Sequence, residues 1–269
     1  QLDSNLNDHI SVIGGVRLER RTANYSDSDV FAHNVAENLW GGKLAVNYII
    51  SDSITSYMVL SRGYKAGGIN NNLSLALENR DFDTEYMWNL ETGLSGTWYE
   101  SRLRGRVSAF YQWRRDVQLK QSLVLPRDDS NSVEFIDYIG NSAEGVNYGL
   151  EVDLSLDLND RFELFGSVGL LETEFRVPTS DLLNFREQAH APSYQFMIGG
   201  NFIVSSDIYL SFDVEGKDKF YLSSNHNEES ESYTLINLSF NYQPNEIRYS
   251  LWGKNLANDK TIIRGFGGF

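Results

Sequence analysis

The sequence predicts an all-β chain, a transmembrane antiparallel up-and-down β-barrel, and three observations point that way. Apolar residues recur with period two in eleven segments, the spacing of strands and not of helices. The largest aromatics gather at the ends of these apolar stripes while Leu, Val, Ala and Gly fill the middle, as on a lipid-facing wall with interfacial girdles. The links between segments alternate between short turns and long polar loops, the pattern of a meander whose short turns all lie on one edge. A soluble sandwich with Greek-key crossings would mix its link lengths.

The elements follow in order. The first strand sets Ile10, Val12, Gly14, Val16 and Leu18 against Ser11, Gly15, Arg17 and Glu19, and a polar loop is expected over 22–37. The second strand, 40–50, turns Leu44, Val46, Tyr48 and Ile50 outward and Lys43, Ala45 and Asn47 inward. After a turn at Ser51-Asp52-Ser53 it returns through Tyr57, Val59 and Ser61, and a long segment occupies 64–83. Residues 84–118 then form a hairpin whose turn is Glu100-Ser101. Tyr86, Trp88, Leu90, Leu94 and Trp98 share an apolar face with Leu103, Val107, Ala109, Tyr111 and Trp113, so Trp88 should oppose Trp113 and Leu94 should oppose Val107. The opposite face carries Glu91, Arg102, Arg104, Arg106, Gln112 and Arg114, which suits a wet lumen.

A loop is expected over 119–141. The sixth strand, 145–156, alternates Val146, Tyr148, Leu150, Val152 and Leu154 with Asn147, Glu151 and Asp153. Five further strands carry Phe162 to Leu170, Tyr194 to Phe202, Ile208 to Val214, Ile236 to Tyr242 and Ile247 to Leu251 at alternate positions. Loops at 172–190 and 217–231 separate them, and short turns fall near 159, 206 and 244.

Composition bounds the function. The chain of 269 residues is 41% hydrophobic and contains 15 Tyr, 15 Phe and 5 Trp, heavy aromatic usage that a two-faced barrel accommodates. No stretch approaches the roughly 20 apolar residues that a membrane helix needs. A net charge of −14 disfavours nucleic acid, whose phosphates require clustered Lys and Arg. With no cysteine, disulfides and thiolate metal sites are excluded. The N-terminal QLDSNLNDH lacks a basic, apolar signal pattern, so the expectation is a removed signal or a chain that begins within a longer protein.

Catalytic chemistry finds no foothold. His33, His190 and His226 fall on expected loops without partners at ligand spacing, and neither GxSxG nor HExxH occurs, so an enzyme is not expected. GYKAGG follows a strand and opens no helix, which makes it turn chemistry and not a phosphate loop. The acidic pairs Asp128-Asp129, Asp157 with Asp160, and Glu228-Glu229 read as solvated faces before calcium or lipopolysaccharide sites. No cofactor and no resident metal are expected.

Six pieces of sequence together carry a resemblance. SRGYKAGGIN (61–70), FDTEYMWNLETGL (82–94), EGVNYGLEVDLSL (144–156), GLLETEF (169–175), HAPSYQFMIGGNF (190–202) and WGKNLANDK (252–260) resemble, in order, the C-terminal half of TonB-dependent outer-membrane receptors, particularly the ferric-siderophore branch. The resemblance implies a 22-stranded barrel filled by a plug, of which these eleven strands would be the eleventh to the twenty-first. It implies that residues 1–269 are the C-terminal part of the barrel, with plug, TonB-binding motif, earlier strands and closing strand lying elsewhere. Ala257 and Asn258 depart from the family's aromatic and Asp at NLFD.

From the resemblance follow the expected roles. The protein would be a multi-pass protein of a Gram-negative outer membrane, in contact with its lipid and lipopolysaccharide, coupled to TonB through its N-terminal region and importing a ferric siderophore. Arg102, Arg104, Arg106, Glu91, Glu151 and Asp153 would line the lumen, as a wall network or against the plug. Arg62, Tyr64, Lys65, Asn70, Asn71, Asn72, Gln112, Arg114, Tyr138, Tyr221 and His226, a mix of cation, amide and aromatic groups near the mouth, would suit an anionic, partly aromatic chelate. A passive porin or adhesin, a rim enzyme, and uptake of cobalamin, haem or glycan are the rival readings.

Overall fold

A computed structural model describes residues 1–28, 32–126, 133–176, 187–224 and 227–262. Among the described residues twelve strands form one antiparallel sheet in which each pairs with its chain neighbour. They are β1 (Leu2–Asn5), β2 (Ile10–Ser26), β3 (Ala32–Ser51) and β4 (Ile54–Lys65), then β7 (Glu85–Trp98) and β8 (Leu103–Pro126). The rest are β9 (Val133–Asn159), β10 (Phe162–Arg176), β11 (Tyr194–Ser205), β12 (Ile208–Lys217), β13 (Tyr233–Tyr242) and β14 (Tyr249–Gly253). A second sheet of two short strands, β5 (Gly68–Ile69) and β6 (Asp81–Phe82), lies in the link between β4 and β7 together with a 3-10 turn at Leu77–Asn79. The sheet is an open arc with β1 and β14 as its ends.

All eleven expected strands are present, and β1 is a twelfth. It pairs Leu2 with Gly14 through Asn5 with Ser11, and its sequence LDSN has no apolar alternation to announce it. Two expected loops are corrected. Most of 22–37 is strand, since β2 and β3 pair as far as Ser26 with Ala32, and most of 119–141 is strand, since β8 and β9 pair as far as Pro126 with Val133. The ladder outruns the apolar stripe because backbone hydrogen bonds need no lipid-facing side chains above the membrane.

The central hairpin has the expected register, with Trp88 opposite Trp113 and Leu94 opposite Val107. Its turn is tight: the Arg102 N–H donates to the Tyr99 carbonyl at 3.1 Å, and Glu100 and Ser101 take φ of 57° and 68°. That is the primed turn that suits strand twist, made here without glycine.

Outward positions keep a continuous apolar face. Leu44, Val46, Met58, Leu60, Trp88, Val107, Trp113, Leu150, Leu154, Ile198, Phe212 and Leu238 are all exposed. Such a band is stable against lipid, which the paired backbone permits. Upper girdle aromatics touch one another: Trp40 meets Trp88 edge-on at 5.9 Å, and Tyr111 contacts Trp113 at 4.7 Å and Tyr148 at 5.8 Å. Trp98 lies ten residues below Trp88 on the same strand. At about 3.3 Å per residue and a tilt of about 40°, this spans roughly 25 Å, the height of a lipid-facing band.

On β4 the phase differs from the sequence reading. Met58 and Leu60 are the exposed apolar residues, whereas Tyr57 lies against the lumen-facing Glu91 and Arg106, so Tyr57, Val59 and Ser61 share the inner face.

Candidate functional site

The lumen wall carries two polar belts. In the lower one, Arg104 on β8 reaches Asp157 at 2.8 Å, Ser155 at 3.0 Å and Glu163 at 3.5 Å. Arg106 donates to the Tyr57 hydroxyl at 2.8 Å, and that hydroxyl donates to Glu91 at 2.6 Å, with Arg106 and Glu91 themselves 3.6 Å apart. Tyr57 fits there because Gly93 opposite has no β-carbon, which would collide with its ring. Glu151 and Asp153 have no ion pair among the described residues and face a cavity of about 490 Å³ with Ser167, Gln195, Glu215 and Lys217. Arg102 is a correction, since it sits in the turn below the wall and outside β8.

The upper belt stands at the mouth. Glu85, 6% exposed, accepts from Arg114 Nε at 2.8 Å and Nη2 at 2.6 Å, and from the Gln118 N–H at 2.9 Å. Arg114 Nη1 donates to Gln188 at 2.9 Å. The Gln188 amide in turn donates to Asn147, whose own amide donates to Gln112 at 3.3 Å. Gln112 and Arg114 are thereby brought together, along with Glu85 and Gln188, which sequence reasoning missed. Glu85 was findable, because it shares the odd-numbered inner phase of Met87, Asn89 and Glu91. Gln188 gave no signal, being held in a loop by its N–H donating to Thr173 Oγ1 at 2.8 Å.

The other expected mouth residues have different places. The link from β4 to β7 is fastened between two tall hairpins. Asn70 donates to the Ile139 and Asn79 carbonyls, each at 2.8 Å, and accepts the Ile139 N–H at 2.9 Å, so its amide secures this link and is not free for a ligand. On the other side Arg80 pairs with Asp27, and Thr84 donates to Glu37 at 2.7 Å. Gln118 ties the same link through its amide to the carbonyls of Lys65, Ala66 and Asp83, while its buried Oε1 has no partner among the described residues. Lys65 and Asn71 are exposed, and Asn72 accepts the Ser74 N–H at 2.9 Å. Tyr64, beyond the last β3–β4 pair, rests its ring on Gly41 and donates to Glu19 at 2.9 Å.

Arg62 is the clearest correction. It opposes Trp88 on the outer face, and its guanidinium lies 4.0 Å from the Trp40 ring centre and 4.4 Å from that of Tyr86. The cause is the β4 phase, since a one-residue shift sends every side chain to the other face.

Above the membrane, Tyr138 donates to Gln121, and burial raises its pKa. Tyr221 bridges to Glu229, and its carbonyl accepts the His190 N–H at 3.0 Å. His190 packs on the buried Phe220 with ring centres 5.6 Å apart. Lys219 reaches Glu229 at 2.8 Å, and this bond raises the lysine pKa. His226 and the Asp128-Asp129 pair lie outside the described residues.

Comparison with known proteins gives the wall a setting. A family described as TonB dependent receptor-like, β-barrel, matches residues 1–256. The fold is similar to the ferric yersiniabactin uptake receptor FyuA of Yersinia pestis, with TM-score 0.79 and 18% identity over 98% of this chain and 40% of that one. It is similar also to the ferric-catecholate import receptor Fiu of E. coli K12, with TM-score 0.75 and 13% identity over 97% and 40%. The copper transporter OprC matches with TM-score 0.73 and 15% identity over 94% and 40%. The chain thus spans about two fifths of the length of these receptors.

Proposed function

Because this chain belongs to the TonB-dependent receptor β-barrel family, transporters of the Gram-negative outer membrane and not enzymes, we propose that it forms the C-terminal part of the barrel of a ferric-siderophore importer. TonB-coupled energy would reach it through a plug and coupling segment outside residues 1–269. The carrying observation is the lumen-side cluster of Gln112, Arg114, Asn147 and Gln188 at the height of the upper girdle, within a barrel of this family. Its amides, and the two Arg114 N–H groups left after its bonds to Glu85 and Gln188, match the carboxylate, catecholate or hydroxamate oxygens of a ferric chelate. Lys65, at the end of β4, and Asn71, in the link that follows, are exposed and add donors in this reading. The similarity to the ferric receptors FyuA and Fiu supports the iron reading.

In the lower belt Arg104 and Arg106 are held by wall carboxylates, while Glu151 and Asp153, the latter opposite Arg106 on the ladder, form no close ion pair among the described residues and line the lumen cavity. In the proposed receptor these two are the groups that hold basic side chains of the plug.

Copper is the second reading, favoured by the similarity to OprC. Equilibrium binding to the full-length receptor separates the two. A panel of ferric chelates should include one that binds and weakens about tenfold in Arg114→Gln, the loss of roughly one charge-assisted hydrogen bond. Binding of copper ions with no response to any ferric chelate would reverse the assignment.

A further inference from the structure

Cations near the mouth stand beside carboxylates. Arg114 is the cation of the lumen-side cluster, and Glu85 Oε1 holds its Nε at 2.8 Å and its Nη2 at 2.6 Å. Glu85 is 6% exposed and fixed from behind by the Gln118 N–H at 2.9 Å, which keeps the carboxylate on the arginine. Lys65 stands opposite Glu85 on the ladder. Around them Arg21 meets Glu37 at 3.1 Å, Arg80 pairs with Asp27, Lys120 meets Asp137 at 2.6 Å and Lys219 meets Glu229 at 2.8 Å. Lys217 lies 5.0 Å from the Phe220 ring centre and 5.2 Å from that of Tyr233, in the cavity that Glu151, Asp153 and Glu215 also line. Arg62 faces outward.

A guanidinium with a buried carboxylate at its back meets a ligand as a pair of no net charge, yet its remaining N–H groups still donate. Two Arg114 N–H groups are left in this way, and the amide N–H groups of Gln112 have no partner among the described residues. Ferric chelates divide by charge. Three catecholates bring six negative charges to Fe³⁺ and leave a trianion, whereas three hydroxamates leave a neutral complex whose oxygens still accept hydrogen bonds. Resting on the ferric-chelate reading above, we propose that Glu85 determines specificity at this site: by cancelling the Arg114 charge it selects a ferric tris-hydroxamate over a ferric tris-catecholate. The anionic chelate that the sequence suggests would meet donors without net positive charge, and Glu187 beside Gln188 adds repulsion.

The test is equilibrium binding of Fe³⁺ complexes of tris-hydroxamate and tris-catecholate siderophores to the full-length receptor, wild type and Glu85→Gln, at about 50 and about 500 mM NaCl. In the wild type the tightest ligand should be a tris-hydroxamate, at least about tenfold tighter than any tris-catecholate, and its affinity should change less than about twofold with salt. In Glu85→Gln the uncancelled Arg114 should narrow that ratio about tenfold, and catecholate binding should weaken with salt. The ratio is the readout, because loosening Arg114 alone would weaken both chelates together. A tris-catecholate as the tightest wild-type ligand, or an unchanged ratio in Glu85→Gln, overturns the role of Glu85 and leaves the iron reading standing. Binding of no ferric chelate removes both. If Glu85→Gln fails to give the heat-modifiable band of a folded barrel, the wild type decides: a preferred tris-hydroxamate that is insensitive to salt supports the proposal, and affinity for the preferred chelate that falls steeply with salt overturns it.

Discussion

Tyr57 and Arg106, 49 residues apart, meet on the lumen wall at 2.8 Å, and the tyrosine passes the contact on to Glu91 at 2.6 Å. Tyr57→Phe breaks both bonds and leaves Arg106 and Glu91 at 3.6 Å in a wet lumen. A loss of about 0.5–1.5 kcal/mol per hydrogen bond is expected in urea unfolding of the refolded barrel, less whatever water restores. An unchanged midpoint would show that this relay contributes nothing to the wall.

Gly93→Ala tests the same seat from the other strand. A methyl there collides with the Tyr57 ring, whose movement would separate its hydroxyl from Glu91. Overpacking of this kind costs about 1–3 kcal/mol. Pairing it with Tyr57→Phe in a double-mutant cycle should show non-additivity, because both changes remove the same hydroxyl bonds; simple addition would mean that the methyl does not displace the Tyr57 hydroxyl.

Much of this arrangement was legible beforehand, and the failures have one physical source. Alternation marks a strand only where one face must be apolar. The register of Trp88 with Trp113 could therefore be read, whereas the tall, polar hairpin ends of β2–β3 and β8–β9 could not. Where both phases are partly apolar, as with Tyr57 and Val59 against Met58 and Leu60, the pattern does not choose. The choice made there put Arg62 on the wrong side of the wall. At the mouth, Gln112 and Arg114 were legible from strand phase, but Asn70 is spent on fastening a link, a role set by tertiary contacts with Ile139 and Asn79.

The lipid face makes a sharper energetic test. Val107 is exposed opposite Leu94, midway between the girdles. Val107→Arg should cost about 2–4 kcal/mol in unfolding from lipid vesicles, the depth-dependent penalty for a mid-bilayer cation. A cost near zero would place this face in water.

The Lys219–Glu229 bond has a definite pH sense. Its effect raises the lysine pKa in the folded loop, so its contribution is fully present below the ordinary lysine range and is lost as pH rises through the raised value. A titration of Lys219 Nζ by NMR in the full-length receptor should give a midpoint above that of an exposed lysine, and Glu229→Gln should bring it back. A midpoint unaffected by that substitution would contradict the bond.

The central claim is tested most directly by uptake in cells. A strain lacking the receptor gene, grown under iron limitation, is given a panel of radiolabelled ferric siderophores with and without a proton uncoupler. The account predicts that accumulation of at least one ferric chelate is lost on deletion, is restored by the wild-type gene, and collapses with the uncoupler. If accumulation of every ferric chelate is unchanged by the deletion while that of copper, cobalamin, haem or a glycan fails, the iron assignment is contradicted.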